Sequence, residues 1–340
     1  MKKHIFLITQ LTLLFLLLTG CQKQNTIKVY DPSEGYITAS TLIETNLADY
    51  DTIPDNPYPE LSVPTCITKL GDLYFIVDCY HNQVLYHDNL EDPIYRWQIM
   101  TTDINMGHTV CSDGNVYLID DTENNRILIM EKTVNRNNME CFIPTQEFTQ
   151  IGTRPHHIVY NKADDSFYAW SSMTGEMFVF RRENSSNRVY QTDIRRIPEL
   201  DGFYVRSFTI EGDSVYFVSG NLNIIEADLE TFEIKKRYPV ASEIAGMVQL
   251  THIEDYYYIT VSTDAYADQS KATILRTKDL NTLKDGIYED IYQNFIGGGT
   301  PYCINEIDGT YYLCEHRLPA HAIWSFRVSG NEICDVETLY

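Results

Sequence analysis

The sequence predicts an all-β fold, a six-bladed β-propeller of four-stranded antiparallel blades, from three observations. An apolar strand, an Asp/Gly turn and an aromatic-rich strand recur in that order six times. The copies start roughly 40–55 residues apart, the length of one four-stranded blade. No stretch carries the 3.6-residue apolar period of a helix. The copies read VPTCITKLGDLYFIV from 63, GHTVCSDGNVYLID from 107, RPHHIVYNKADDSFYAW from 154, YVRSFTIEGDSVYFV from 204, MVQLTHIEDYYYIT from 247 and TPYCINEIDGTYYLC from 300.

The chain starts with a different kind of segment. Met1-Lys2-Lys3-His4 is basic, residues 5–18 are mostly apolar, and Leu18-Thr19-Gly20-Cys21 follows. A short apolar run behind lysines is a secretory signal and too short to span a bilayer comfortably. Its end resembles the lipobox of bacterial lipoproteins. That resemblance implies cleavage after residue 20, lipidation of Cys21 and a protein anchored to the outer face of the cell membrane. Residues 21–60 then read as a tether and lead-in, with Pro54, Pro57 and Pro59 and weak strand patterns at 27–30 and 36–43. Little structure is expected there. The propeller is expected over 61–340.

Each repeat obeys the same local physics. Asp and Gly tolerate the backbone angles of a tight turn. The second strands (LYFIV, NVYLI, SFYAW, SVYFV, YYYIT, TYYLC) are β-branched or aromatic and suit a pleated, half-buried surface. Third strands follow as QVLYH, RILIM, MFVFR, NIIEA, TILRT and AIWSF, then a less regular fourth strand. The 25 tyrosines fit this architecture, because they pack between blades while keeping a hydroxyl wet.

Charge excludes one class of partner. The chain carries 26 basic against 48 acidic side chains, net −22, and loss of Lys2 and Lys3 makes it more negative. Phosphate backbones need a basic surface, so nucleic acid is not expected. Seven cysteines follow Cys21. Export permits disulfides. Cys303 and Cys314 flank Asp308-Gly309 symmetrically and are the best candidate pair, although cysteines in a sheet are also common as buried apolar residues. No CxxC or compact Cys/His quartet marks a structural zinc site.

Asp113-Gly114-Asn115-Val116-Tyr117-Leu118-Ile119-Asp120, followed by Asn124-Asn125-Arg126-Ile127, resembles the NHL-type repeat of six-bladed propellers. Gly71-Asp72-Leu73-Tyr74-Phe75-Ile76-Val77-Asp78 with Asn82-Gln83-Val84 is a second match. The other units keep only the hydrophobic skeleton. The resemblance implies a fold and not an activity, since propellers host both enzymes and binders.

In a propeller the first strands of the blades converge at the axis, and the loops before them share a face with the loops after each second strand. Thr65, His108, His156, His157, Arg206, Gln249 and Tyr302 are therefore expected to ring a funnel, with Arg154, His316 and Arg317 on its wall. Asp120 and Asp121 lie on the same face. Convergent polar groups in a concave site suit a ligand. The expected function is ligand binding or protein interaction, with a glycan, a peptide or an envelope protein as partner. The alternative is an extracytoplasmic lyase or hydrolase acting on a glycan or peptide. His108, His156 or His157, and His316 could in principle share a metal. However, no HExxH occurs, and His156 and His157 as strand neighbours should point to opposite faces. No catalytic residue, metal or cofactor is assigned.

Overall fold

The computed structural model describes residues 30–318 and 320–340. Cys21 and the lipobox lie outside them. The regular elements are strands and short 3₁₀ turns. The first blade comprises Pro64–Leu70, Leu73–Asp78, Gln83–His87 and Gln98–Thr101, and the second Val110–Ser112, Val116–Asp121, Arg126–Val134 and Glu140–Phe148. The third comprises Pro155–Asn161, Ser166–Ser171, Glu176–Arg182 and Val189–Arg196, and the fourth Val205–Glu211, Ser214–Ser219, Asn223–Asp228 and Ile234–Pro239. The fifth comprises Gly246–Ile253, Tyr256–Thr263, Thr273–Thr277 and Glu289–Asp290, and the sixth Thr300–Ile307, Thr310–His316, Ile323–Ser329 and Glu332–Thr338. Strands within each blade, A to D from the axis outward, pair antiparallel with their neighbours. The six-bladed propeller expected from the repeats is the fold observed. The outer strand of the fifth blade is the exception in length, with only two residues.

The core lies between blades. Each neighbouring pair shares an apolar layer. Phe75, Val77 and Tyr86 of the first blade, for example, meet Tyr117, Leu128 and Phe142 of the second. Trp170 and Met177 of the third meet Phe208 and Phe217 of the fourth. The ring closes without strand exchange. Ile67, Ile76 and Trp97 of the first blade pack against Cys303, Cys314 and Ile323 of the last. Tyr340, at the end of the chain, seals this seam. Its ring meets Trp97 edge-on at 6.0 Å. Its hydroxyl accepts from Trp97 Nε1 at 3.0 Å and donates to the carbonyl of Leu90 at 2.5 Å.

The lead-in is more structured than its composition suggests. Thr38–Ala39 pairs with the outer edge of the third blade and Thr41–Leu42 with that of the second. Asp55 bridges to Gln98 on the first. Residues 30–56 therefore strap three outer strands, whose unpaired backbone groups would otherwise be exposed edges. Ser40 is buried and donates to Gln146 Oε1 at 2.6 Å. Tertiary pairing overrides the polar, proline-containing sequence.

Cys303 and Cys314 are direct cross-strand partners, as their spacing from the turn implies. All seven described cysteines are free thiols, and all but Cys334 are buried.

Candidate functional site

The strand-A starts meet at a funnel of about 230 Å³. Side chains reach it through a backbone irregularity. In five blades the ladder between strands A and B shifts register at the start of strand A, at Pro64/Cys66, Pro155/His157, Val205/Phe208, Met247/Gln249 and Pro301/Cys303. A bulge re-aims the side chains beside it. For this reason His156 and His157, sequence neighbours, both face the axis and line a cavity of about 20 Å³ just below the funnel. Simple strand alternation, which separates them, does not hold here.

His108 and His156 lie at the base of the funnel with their rings stacked, centroids 3.6 Å apart. Tyr302 OH lies 3.0 Å from His108 Nδ1 and 3.3 Å from His156 Nε2. His156 Nδ1 lies 3.0 Å from the carbonyl of Arg206. A carbonyl only accepts, so His156 carries its proton on Nδ1 and accepts at Nε2. Tyr302 then donates to His156 and accepts from His108 Nδ1–H. This one-way chain leaves His108 Nε2 as a bare acceptor. It is buried and has no hydrogen-bond partner among the described residues. Burial, reinforced by the nearby arginines, depresses the His108 pKa to about 3 and holds His156 well below the usual imidazole range. Burial likewise raises the Tyr302 phenol. The chain is neutral at pH 7.

Two arginines stand above it. The guanidinium carbons of Arg154 and Arg206 lie 5.7 and 4.9 Å from the centroid of the Tyr204 ring. Arg206 Nη1 donates to Ser262 Oγ at 3.1 Å. Arg154 Nη1 pairs with Glu123 at 2.6 Å, while its Nε is buried without a partner among the described residues. Arg154 adopts the left-handed conformation (φ 59°), held by a 2.7 Å hydrogen bond from its N–H to Asn125 Oδ1. That conformation is costly for a residue with a Cβ and is sustained by its surroundings. His316 completes the wall, its pKa lowered to about 4, first by burial. Among the described residues, no Asp or Glu lines the funnel.

The remaining expected positions lie elsewhere. Thr65, His157 and Gln249 line the small axial cavity below the funnel and not the funnel itself. Thr65 donates to the carbonyl of His108, and Gln249 accepts from Ile304 N–H. His157 meets Phe208 edge-on, and burial lowers its pKa to about 4. Arg317 is exposed and ties the Gly299 carbonyl and Gln269 together across two loops.

Asp120 and Asp121 are structural latches. Asp120 accepts from the backbone N–H groups of His108 and Thr109, and Asp121 from Asn105 N–H and Arg126 Nε. Asp78 does the same for Ser62 and Val63. The NHL-like aspartates thus fasten the loop entering strand A to the end of strand B. Burial raises the Asp120 pKa to about 7 against the pull of those hydrogen bonds. Sequence reasoning missed Tyr204, Met106, Cys79, Ser262, Gln269 and Thr300, which also line the funnel. Tyr204 and Thr300 had a signal, since they open the fourth and sixth repeats, and Ser262 lies at the end of a second strand. Cys79, Met106 and Gln269 arrive from connections whose paths the repeat does not specify.

Among the described residues, no group of three or more His, Cys, Asp or Glu side chains is placed to hold a metal ion. The sequence matches no protein-family model and no curated protein. Solved structures do resemble the fold. Virginiamycin B lyase from Staphylococcus aureus, in a catalytically inactive variant, aligns at 13% identity over 85% of this chain and 88% of that one, with a TM-score of 0.54. A 6-phosphogluconolactonase-like protein from Bacteroides fragilis aligns at 11% identity over 79% and 81%, with a TM-score of 0.55. Hydrazine synthase from Kuenenia stuttgartiensis aligns at 13% identity over 82% and 79%, with a TM-score of 0.52. At such identities the likeness shows the β-propeller fold alone.

Proposed function

We propose that this protein is an exported, lipid-anchored ligand-binding module whose site is the funnel above His108 and His156. One observation carries the reading of the site. His108 Nε2, Arg154 Nε and Thr300 Oγ1 are buried without partners among the described residues, and all three residues line the same cavity. A buried polar group left unpaired costs about 1–3 kcal/mol. Three such groups at one cavity suit a ligand that supplies the missing partners. Anchoring rests on the lipobox resemblance at Cys21. Tyr30, where the described chain begins, packs with Tyr190 and Arg181 at the C–D turn of the third blade, the end of that blade away from the funnel. A tether leaving there keeps the funnel open to the exterior.

The test is thermal unfolding of the chain from residue 22 against small anionic, neutral and cationic ligands. A ligand at 100 times its Kd should stabilise the fold by about 2.7 kcal/mol. His108→Ala should abolish that shift. A shift unchanged in His108→Ala would move the site elsewhere. Growth with radiolabelled palmitate should label the full-length protein, and Cys21→Ser should not be labelled.

An alternative is lyase or hydrolase chemistry, the class named for one structural neighbour. It is favoured by the free His108 Nε2, which could accept a substrate proton. A base with pKa about 3 is far from the value near the working pH that efficient proton transfer needs. Binding is therefore the better-supported reading.

A further inference from the structure

We propose that the funnel takes the free carboxyl terminus of a peptide. This rests on the funnel being the ligand site and goes further by naming the chemical class. Three features together specify it.

The first is charge. The chain is strongly acidic, yet among the described residues the funnel wall has no carboxylate and presents Arg154 and Arg206. Inside an acidic protein such a pocket attracts an anion selectively. Arg206 keeps guanidinium donors beyond its bond to Ser262 and can donate to a carboxylate, while Arg154, although paired with Glu123, retains an Nε–H with no partner among the described residues. The second is the bare acceptor at His108 Nε2. The ligand must carry an N–H or O–H donor close to its anionic group. The last residue of a peptide has both, its carboxylate and its amide N–H.

The third is the apolar surface on the funnel's face. Tyr80 lines the funnel and is exposed, and Phe203, Leu222, Tyr266 and Ile296 are exposed on loops that precede strand A or join strands B and C on the same face of the propeller. They offer contact to apolar side chains just upstream of the terminus. An acidic sugar meets the first two requirements but carries no apolar side chain to set against those loops. Capture of a chain terminus is an established way to read peptides.

The experiment uses the chain from residue 22 and a library of N-acetylated tetrapeptides with apolar C-terminal residues, prepared as free acids and as C-terminal amides. Titration calorimetry should show the acids binding, the amides weaker by about 10- to 100-fold, as loss of a charged hydrogen-bond partner implies, and affinity falling as salt rises. Arg206→Gln should remove the acid preference, with circular dichroism confirming its fold. Equal binding of acids and amides would overturn the peptide-terminus assignment. So would binding of glucuronic acid or inorganic phosphate but no peptide acid, although the funnel would remain the ligand site. If no anion, sugar or peptide binds, the ligand-binding reading itself fails.

Discussion

His108 and His156 stack face to face at 3.6 Å, and one hydroxyl, that of Tyr302, serves both rings. Three blades meet at that hydroxyl, so it orders the axis as well as the site. Tyr302→Phe leaves two buried ring nitrogens unpaired. It should cost about 1–3 kcal/mol in urea unfolding and free the His108 tautomer, visible in imidazole ¹⁵N shifts. Retention of the Nδ1–H form in the variant would disprove the one-way chain.

Acid should weaken the fold earlier than carboxylate chemistry alone predicts. His108, His156, His157 and His316 all have depressed pKa values in the fold, against an ordinary value of 6.5. Below pH 6.5 the unfolded chain takes up protons that the folded chain refuses, so stability falls with pH from there to about 4. Asp120, Asp164, Glu211 and Glu315, whose carboxyl pKa values burial raises, work in the opposite sense and offset part of the histidine contribution. Each remaining net proton contributes up to about 1.4 kcal/mol per pH unit. Urea midpoints at pH 7.5, 6 and 5 should fall accordingly, and His157→Phe should flatten the slope.

The seam between first and last blades depends on one terminal side chain. Tyr340→Ala removes the ring packed on Trp97 and the bonds around its hydroxyl, and should cost about 3 kcal/mol. Tyr340→Phe keeps the ring and should lose about 1 kcal/mol. Chemical denaturation distinguishes the two.

The strap should guard against association. A chain beginning at residue 61 exposes the outer edges of three blades that residues 30–56 otherwise cover. It should aggregate in light scattering at concentrations where the chain from residue 22 stays dispersed. Equal dispersity would assign the strap a different role.

Asp120→Ala should destabilise the fold by about 2–4 kcal/mol, since it orphans the backbone donors of His108 and Thr109. Asp120 does not line the funnel but holds the His108 backbone, so the pH-dependent histidine signals should shift along with stability.

The repeats by themselves determined the fold, because blade formation is local. Each copy carries its own turn and its own alternating strands, as Asp113-Gly114 between Val110–Ser112 and Val116–Asp121 shows. The same register put Thr65, His108, His156, Arg206 and Tyr302 near the axis. Only tertiary structure decided which of these face the funnel. Bulges at the strand starts turned His157 and Gln249 toward the axial cavity below the funnel, and connections between strands delivered Tyr204 and Gln269 to the funnel. It also decided the fate of residues 30–56, whose pairing partners lie about a hundred residues or more away in places, as in Ser40 with Gln146. Strand periodicity is written between neighbours in the chain. Bulges, straps and hydrogen-bond chains across three blades arise from contacts between residues far apart in it.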